Sequence, residues 1–403
     1  MTTPLQPPMS NLARRVQSAG FSLAEVMVAM VIGLLTMIII MQSYASFEGQ
    51  KRTTTSGSDT QENGLTAMHA IETDARMAGF GLMTPNGLAC THMNFSYNGA
   101  SSVAAIAPVM IVDGDKPGVT SGLSDTITFT YSTSPTGGNP TVLTGAMSNS
   151  NSDLTVDWAN GLGFTGDQDL LLIGTPGSNT PCSRLAYTIN PDPLTNNMLL
   201  YNPEVSVNIF PPGGYVANSS FVLNMGGFAQ NEYGIEANDL YVQDVGPQAS
   251  WAKANGITAT SRVHLASNVV NLQVQYGVAP TNTSGGLSSP GVTCWTDAVD
   301  RRADATAAAD CKSDWRADSI STADAMRIKA IRIAVVARSS LQEKPASGVG
   351  TTCDATLVAP ISWMGGPAID LSTNDTATDK WQCHRYRVYQ TVIPLRNMIW
   401  ANL

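Results

Sequence analysis

The chain has 403 residues, a formal net charge of −9 and only 13% charged residues. It is long enough for one large domain or two ordinary domains with a sizeable core. The chain contains 31 acidic and 22 basic residues, and this acidic excess argues against the basic surface that nucleic-acid binding needs.

The first element is an apolar run over residues 21–41, which contains a single charge, Glu25. A helix rises about 1.5 Å per residue, so this run is long enough to cross a hydrocarbon core of about 30 Å. Arg14 and Arg15 are the only charged side chains before it, and a short basic flank stays on the cytoplasmic side. The run therefore predicts a membrane span with the rest of the chain on the far side. A cleaved secretory signal is the alternative, but residues 41–46 match its cleavage site only weakly.

A long helix is predicted to continue beyond the span, because no proline occurs between Pro8 and Pro85. Residues 61–78 keep a helical period, and a glycine-rich stop signal follows at residues 79–81. The apolar face of this period consists of Leu65, Met68, Ile71 and Ala75. The three glycines in the middle, which cost about 1 kcal/mol each relative to alanine, are Gly49, Gly57 and Gly64. The sequence therefore predicts a helix from near Phe21 to near Ala78 that is bent or locally melted around residues 49–60.

Beyond Pro85 the pattern changes to short runs of period two separated by Gly, Pro, Asn and Asp, which is typical of strands. Strands are predicted at residues 126–131, 170–173, 221–225, 240–242, 270–276, 331–336 and 386–393. Long polar loops such as residues 281–290 favour an antiparallel sheet with insertions. We therefore expect an α+β chain in which a long N-terminal transmembrane helix precedes a large antiparallel β-sheet head.

All six cysteines lie beyond the span: Cys90, Cys182, Cys294, Cys311, Cys353 and Cys383. An even number in an exported region indicates disulfides, and six cysteines allow 15 pairings. Pairing in sequence order is favoured, with most local support for Cys294 with Cys311. Zinc is the alternative for any set of cysteines, but no C-x-x-C occurs and the four histidines are scattered.

Motifs of catalysis are absent from the sequence, which has no G-x-S-x-G, P-loop or H-E-x-x-H. Calcium could bind to oxygen ligands of Asp113, Asp115, Asp167 and Asp169. Neither D-x-D pair lies in an EF-hand loop, and solvated turn aspartates are the commoner interpretation. The sequence therefore predicts no enzyme, no metal site and no cofactor.

The start of the span, Gly20, Phe21 and then Ser22-Leu23-Ala24-Glu25, resembles the class III signal of type IV pilins and type II secretion pseudopilins. The resemblance implies that a prepilin peptidase cuts after Gly20 and methylates the new N-terminal amine of Phe21. It also implies that Glu25 pairs with the free N-terminal amine of a neighbouring subunit. A carboxylate in a span costs roughly 2.5 to 3.5 kcal/mol, which such a pair would offset. The simpler interpretation of Glu25 is a helix-start residue that favours the helix dipole.

Four further segments resemble the PilW family of minor pilins: residues 67–81, 270–277, 331–339 and 386–397. The first resembles the end of the N-terminal helix of that family, and the others resemble its sheet strands and C-terminus. The implied organisation is a cytoplasmic leader over residues 1–20, a span over 21–41, the periplasmic half of the helix over 42–84 and a head over 85–403. The head divides into a variable part over 85–245 and a PilW-like part over 246–403.

The resemblance implies a minor pilin that is incorporated into a type IV pilus and helps to initiate its assembly. The expected partners are the prepilin peptidase, other minor pilins, the major pilin, the inner-membrane assembly platform and a tip adhesin. The expected location is the inner membrane, with the head in the periplasm, and then the extracellular pilus. Three alternatives stay open: a J-type secretion pseudopilin, a pilus-tip adhesin head and a tethered periplasmic enzyme.

Overall fold

The computed structural model describes residues 20, 22–97, 100–114, 122–135, 139–149, 152–163, 170–188, 198–201, 210–246, 262–280, 291–343, 353, 355–356, 363–366, 368–372 and 379–400. The chain divides into two compact units, Met1–Thr55 and Ser56–Leu403. The first contains the apolar half of the N-terminal helix, and the second contains the rest of that helix and the sheets.

The N-terminal helix, α1, spans Leu23–Met77. The predicted local melting around residues 49–60 is wrong, because this segment is helical throughout. The glycine penalty of about 1 kcal/mol per residue is offset where one face of the helix packs on the sheets. The helix ends at Met77, so residues 78–84 of the expected helical segment 42–84 form turns and the start of a strand. Gly79, with φ at +79°, adopts the left-handed conformation that commonly follows a helix end.

Nineteen strands are present in the described part of the chain, together with two further helices, α2 (Thr322–Arg327) and α3 (Arg396–Trp400). The strands are β1 (Met83–Thr84), β2 (Gly87–Leu88), β3 (His92–Tyr97), β4 (Ala100–Ala105), β5 (Val109–Val112), β6 (Thr126–Tyr131), β7 (Thr141–Val142), β8 (Leu154–Thr155), β9 (Leu170–Gly174), β10 (Cys182–Thr188), β11 (Met198–Tyr201), β12 (Phe221–Gly226), β13 (Ala229–Glu236), β14 (Asp239–Asp244), β15 (Val263–Ser267), β16 (Val269–Val278), β17 (Cys294–Thr296), β18 (Ile328–Arg338) and β19 (Tyr386–Pro394). All seven predicted strands are confirmed. The α+β class is confirmed as well.

The strands form a small hairpin of β1 and β2 and three larger sheets. The largest has the order β4-β3-β10-β9-β12-β7, to which β11 and β8 are added. A five-stranded sheet has the order β15-β14-β13-β6-β5, and a four-stranded sheet has the order β17-β16-β18-β19. Pairing is antiparallel among the described strands except between β3 and β10, which run parallel. The expectation of an antiparallel head therefore holds apart from this one pair.

The main core lies between α1 and the sheets. Ala67, Ile71 and Ala75 on α1 are completely buried and belong to one cluster with residues of β6, β16 and β18. Leu65, expected on the buried face, is instead 51% exposed. The face that packs is shifted towards Gly64 and Ala67, because the small residues allow the sheets to approach the helix closely.

Candidate functional site

The first part of the candidate site is the start of α1. Ser22 precedes the helix, and its Oγ accepts a hydrogen bond from the Glu25 amide at 3.2 Å. The Glu25 carboxylate accepts one from the Ser22 amide at 2.9 Å. This reciprocal pair is a capping box, in which two otherwise unpaired helix-start amides are satisfied. The signal S-x-x-E was present in the sequence at residues 22–25 and gives Glu25 a local partner.

Gly20 lies just before this cap and is exposed. A Cβ added at Gly20 would meet no described atom within 4 Å, so packing inside the subunit does not require a glycine there. Phe21, the residue expected to become the N-terminus, lies outside the described residues. The structure therefore brings Ser22 and Glu25 together and shows no packing reason for Gly20 within the part of the chain that it describes.

The second part of the site is the apolar surface of α1. Every described side chain from Ser22 to Thr55 is exposed, including the whole run of Leu, Ile, Val and Met residues up to Met41. A helix that is apolar all round needs an apolar environment such as a bilayer or other helices. Tyr44 and Phe47 extend the exposed apolar surface beyond the span. By length and composition this helix could cross a membrane, as the sequence predicted.

The third part is the face of α1 that packs on the head. The ring of Tyr389 lies so close to Gly64 that an added Cβ would stand 2.1 Å from its Cε2 atom. The hydroxyl of Tyr389 donates to the Thr60 carbonyl at 3.4 Å, and Thr60 Oγ1 donates to the Arg338 carbonyl at 3.1 Å. Gly64 is therefore a packing residue, whereas the sequence alone predicts only a weak point of the helix at this position.

Asp74 is the polar centre of the same interface. Its carboxylate accepts hydrogen bonds from the hydroxyls of Tyr131 and Tyr233 at 3.2 and 2.8 Å, and from Asn231 Nδ2 at 2.8 Å. Burial, reinforced by the Asp74 charge, raises the pKa of Tyr131 to about 12 and raises that of Tyr233 further. Both phenols thus stay protonated and act as donors, which ties α1 to β6 and β13.

A Ser-His-Asp grouping occurs at the join of β18 and β19, where sequence reasoning found no catalytic motif. His384 Nε2 lies 2.6 Å from Asp379 Oδ1, and His384 Nδ1 lies 3.4 Å from Ser339 Oγ. Nδ1 is closer to the Ser339 carbonyl oxygen, at 2.8 Å, and that oxygen can only accept. Nδ1 therefore faces the Ser339 carbonyl more closely than the Ser339 hydroxyl. Both side chains are buried, so the grouping joins the two strands and does not form a catalytic site.

Asp379 is held in its ionised form within this grouping. Burial opposes ionisation, but the hydrogen bond from His384 and the charge of Arg338 outweigh it and lower the pKa of Asp379. Arg338 Nη1 lies 3.0 Å from Asp379 Oδ2. Arg338 therefore contacts Asp379 through its side chain and accepts the Thr60 hydroxyl of α1 through its carbonyl.

The three disulfides join the cysteines in sequence order: Cys90 with Cys182, Cys294 with Cys311, and Cys353 with Cys383. This is the pairing that the sequence favoured. The first bond lies beside the parallel pair of β3 and β10, where Cys182 is opposite Met93. The second closes a 17-residue separation, and the loop within it contains local ion pairs such as Arg301 with Asp297.

Metal ligation finds no support in the described residues, which contain no cluster of three or more His, Cys, Asp or Glu side chains able to hold an ion. Of the aspartates considered for calcium, Asp115, Asp167 and Asp169 lie outside the described residues. Asp113 lies in a loop next to Gly114, whose amide donates to Asp125.

A family model described as PilW, Type IV Pilus-assembly protein W, matches residues 232–397. Comparison with curated proteins and with solved structures gave no significant match. The matched range runs from β13 into α3 and contains the whole four-stranded sheet, including three of the four segments that suggested this family. The match and the exposed apolar helix fit a membrane-anchored protein with a role in type IV pilus assembly. Residues 232–397 of the chain are therefore similar to the PilW family of type IV pilus-assembly proteins.

Proposed function

We propose that this protein is a minor pilin that is incorporated into a type IV pilus and helps to initiate its assembly. The observation that carries the proposal is the fully exposed apolar half of α1, which continues without a break into a half that packs on the head. Such a surface is stable in a bilayer before assembly and in a bundle of like helices afterwards. The match to a pilus-assembly family supports the environment of a helix bundle in a filament.

Processing is the first step of the proposal. A prepilin peptidase removes residues 1–20 on the cytoplasmic side and methylates the amine of Phe21. The exposed position of Gly20 before the helix cap supports this step, since a peptidase needs access to the bond it cuts. Gly20 also has no packing role among the described residues.

Glu25 is the residue that distinguishes assembly from membrane residence. Its carboxylate accepts a hydrogen bond from the Ser22 amide, and it remains exposed on an apolar helix. A charge in this environment is costly unless an opposite charge approaches it. In a bundle, the free amine at position 21 of a neighbouring subunit supplies that charge.

The proposed location is the inner membrane, with the head in the periplasm, until the subunit enters the filament. The proposed partners are the prepilin peptidase, the assembly platform, the other minor pilins, the major pilin and a tip adhesin. Purification of the native protein from membranes should recover other minor pilins. Recovery of secretion pseudopilins in their place would contradict the pilus assignment and favour the J-type alternative.

The test of the proposal is the variant Glu25→Leu. Insertion should stay level or improve, because the variant removes a charge that costs roughly 2.5 to 3.5 kcal/mol in a span. Cleavage after Gly20 should survive, whereas entry into filaments should drop sharply, because the neighbouring amine would be buried without a counter-charge. The measurement is the ratio of this protein in sheared filaments to that in membranes.

Two control variants sharpen this test. Glu25→Gln keeps a side chain able to accept from Ser22 and should fall between the wild type and Glu25→Leu. Gly20→Val should leave the full-length precursor in the membrane. An unchanged filament ratio for Glu25→Leu would mean that Glu25 serves only as a capping residue, and cleavage at another bond would contradict the pilin assignment.

A further inference from the structure

The two edges of the four-stranded sheet differ in how their backbone groups are satisfied. On the β16 side, β17 pairs with the end of the strand, and the loop at residues 122–125 covers the middle. The Asp125 amide donates to the Leu272 carbonyl at 2.8 Å, and the Val274 amide donates to the Asp125 carboxylate at 2.8 Å. The opposite edge is β19, which pairs with β18 on its inner side.

The hydrogen bonds at the two ends of β19 show which of its backbone groups point outwards. Leu395 donates to the Lys329 carbonyl at 2.9 Å, and Ser339 donates to the Arg385 carbonyl at 2.8 Å. The register between them is continuous, and bonded pairs alternate in an antiparallel ladder. Odd-numbered residues therefore bond to β18, and the amides and carbonyls of Val388, Gln390 and Val392 point to the outer edge.

No described residue forms a backbone hydrogen bond with this outer edge. The side chains of the strand are already engaged on both faces, with Tyr389 against Gly64 and Val388 against the cluster around Trp363. Pro394 stands at the next outward position, where a missing amide costs no ladder bond. The open edge from Val388 to Val392 is about 13 Å long, which fits a strand of about five residues.

The charge around this edge indicates what it would receive. Residues 380–403 contain Lys380, Arg385, Arg387 and Arg396 but no Asp or Glu, although the whole chain has a net charge of −9. Arg387 and Arg396 form no ion pair with a described residue, although Arg387 Nη1 donates to Gln61 Oε1 at 3.4 Å, and the two arginines flank the open edge in the sequence. Charged residues and proline on an edge strand can also protect it against aggregation, and β19 contains Arg387 and Pro394. The three residues whose backbone groups point outwards, Val388, Gln390 and Val392, are nevertheless uncharged and include no proline.

We propose that the outer edge of β19 binds an extended acidic segment of a neighbouring pilin subunit by strand addition. The main-chain groups of Val388, Gln390 and Val392 bond to the added strand, and Arg387 and Arg396 select acidic residues at its ends. The inference rests on the proposed function, because it supplies one of the lateral contacts that a minor pilin makes during assembly.

Amide hydrogen exchange of the full-length protein tests directly whether the outward amides of β19 gain a partner in filaments. Exchange is compared at single-residue resolution between the wild-type protein in detergent and the same protein in sheared filaments. The amides of Val388, Gln390 and Val392 should slow by about tenfold or more in filaments, because each gains a partner. The amides of Tyr389 and Thr391 serve as internal controls, since they are bonded to β18 in both states.

Val392→Pro tests the same edge by removing one outward amide. Incorporation into filaments should fall by about tenfold or more, whereas Val392→Ala, which keeps the amide, should stay within about twofold of the wild type. Thr391→Pro removes an inward amide and should disrupt the sheet, which calibrates the folding check. Folding of each purified variant is checked by its resistance to trypsin and by peptide mapping of its three disulfides.

The proposal is overturned if wild-type filaments leave the three outward amides in fast exchange, or if Val392→Pro is incorporated like Val392→Ala. It is also overturned if vesicles with anionic lipid alone protect these amides, since the edge would then contact a membrane. If Val392→Pro fails the folding check, the exchange comparison on the wild type decides. Absence of the wild-type protein from filaments would overturn the proposed function itself. Normal incorporation with fast exchange of the outward β19 amides would overturn only the strand-addition proposal.

Discussion

The two halves of α1 have the same secondary structure but obtain it in different surroundings. Described side chains before Ser56 are exposed on every side, whereas from Ser56 to Met77 one face is buried against the head. The first half relies on its own backbone hydrogen bonds and on an apolar environment. The second half relies on tertiary packing, as most helices of globular proteins do. One helix therefore contains two segments whose stability responds to different changes.

Glycines show the same contrast at single positions. A Cβ added at Gly49 or Gly57 would meet open space, whereas one added at Gly64 would overlap the ring of Tyr389. The same residue type is therefore a packing requirement in one place and a source of backbone freedom in the other. Substitution by alanine should have opposite signs at Gly64 and Gly57.

Removal of the first disulfide should give the largest effect and should separate the two halves. Replacing Cys90 and Cys182 by alanine opens a loop of 92 residues, and the chain-entropy relation gives a loss of about 4 to 5 kcal/mol in the free energy of unfolding of the head. The helix from Ser56 onward should then lose its protection from amide exchange, while the apolar half keeps it in the membrane. Denaturant unfolding and exchange in detergent measure both quantities.

The second disulfide provides the matched control for this prediction. Replacing Cys294 and Cys311 opens a separation of only 17 residues and should cost about 3 kcal/mol on the same relation. If the helix after Ser56 keeps its exchange protection when the head unfolds, the inference that this half is stabilised by packing on the head is wrong.

Gly64→Ala should have the next largest effect. The new methyl group would lie 2.1 Å from the Tyr389 ring, and overpacking of this kind costs about 1 to 3 kcal/mol. Denaturant unfolding should show this loss in the free energy of unfolding. In the double variant with Tyr389→Leu the two losses should not add, because the two residues are in contact. Additive losses would mean that the destabilisation caused by alanine does not come from its contact with Tyr389.

Gly57→Ala should have the smallest effect and the opposite sign. Gly57 is exposed within the helix, so alanine should stabilise it by about 0.5 to 1 kcal/mol. Helix content by circular dichroism and the unfolding midpoint should both rise slightly. A loss of stability would contradict the open surroundings of this residue.

Strong local patterns made part of the fold predictable. Residues 126–131 and 270–276 were identified because β-branched and aromatic residues alternate there or form a buried run. Strand β13 was missed because its polar residues, Gln230, Asn231 and Glu232, hide the period. These residues are in a strand because β6 and β14 lie on either side, and such neighbours are not visible in a local pattern.

Contacts between distant parts of the chain set the limit of prediction at the candidate site. The capping box of Ser22 and Glu25 was readable from four consecutive residues. The pairing of Gly64 with Tyr389 was not, because the residues are more than 300 positions apart. The parallel pairing of β3 with β10 also depends on tertiary structure, since both strands could have paired only with their antiparallel neighbours.

The side chain of Asn397 closes the end of the first helix. Its Nδ2 lies 3.4, 3.2 and 3.1 Å from the carbonyl oxygens of Arg76, Met77 and Ala78, and the neighbouring Met398 carbonyl accepts from the buried Lys329. The carbonyl groups of Arg76, Met77 and Ala78 are synthesised about 320 residues before Asn397. The end of α1 therefore cannot form these hydrogen bonds until nearly the whole chain has been synthesised. Contacts of such high sequence separation slow folding and lengthen the time for which apolar surface is exposed. Truncation before Asn397 should therefore remove the partner of these carbonyls and leave an aggregation-prone chain in place of a smaller folded head.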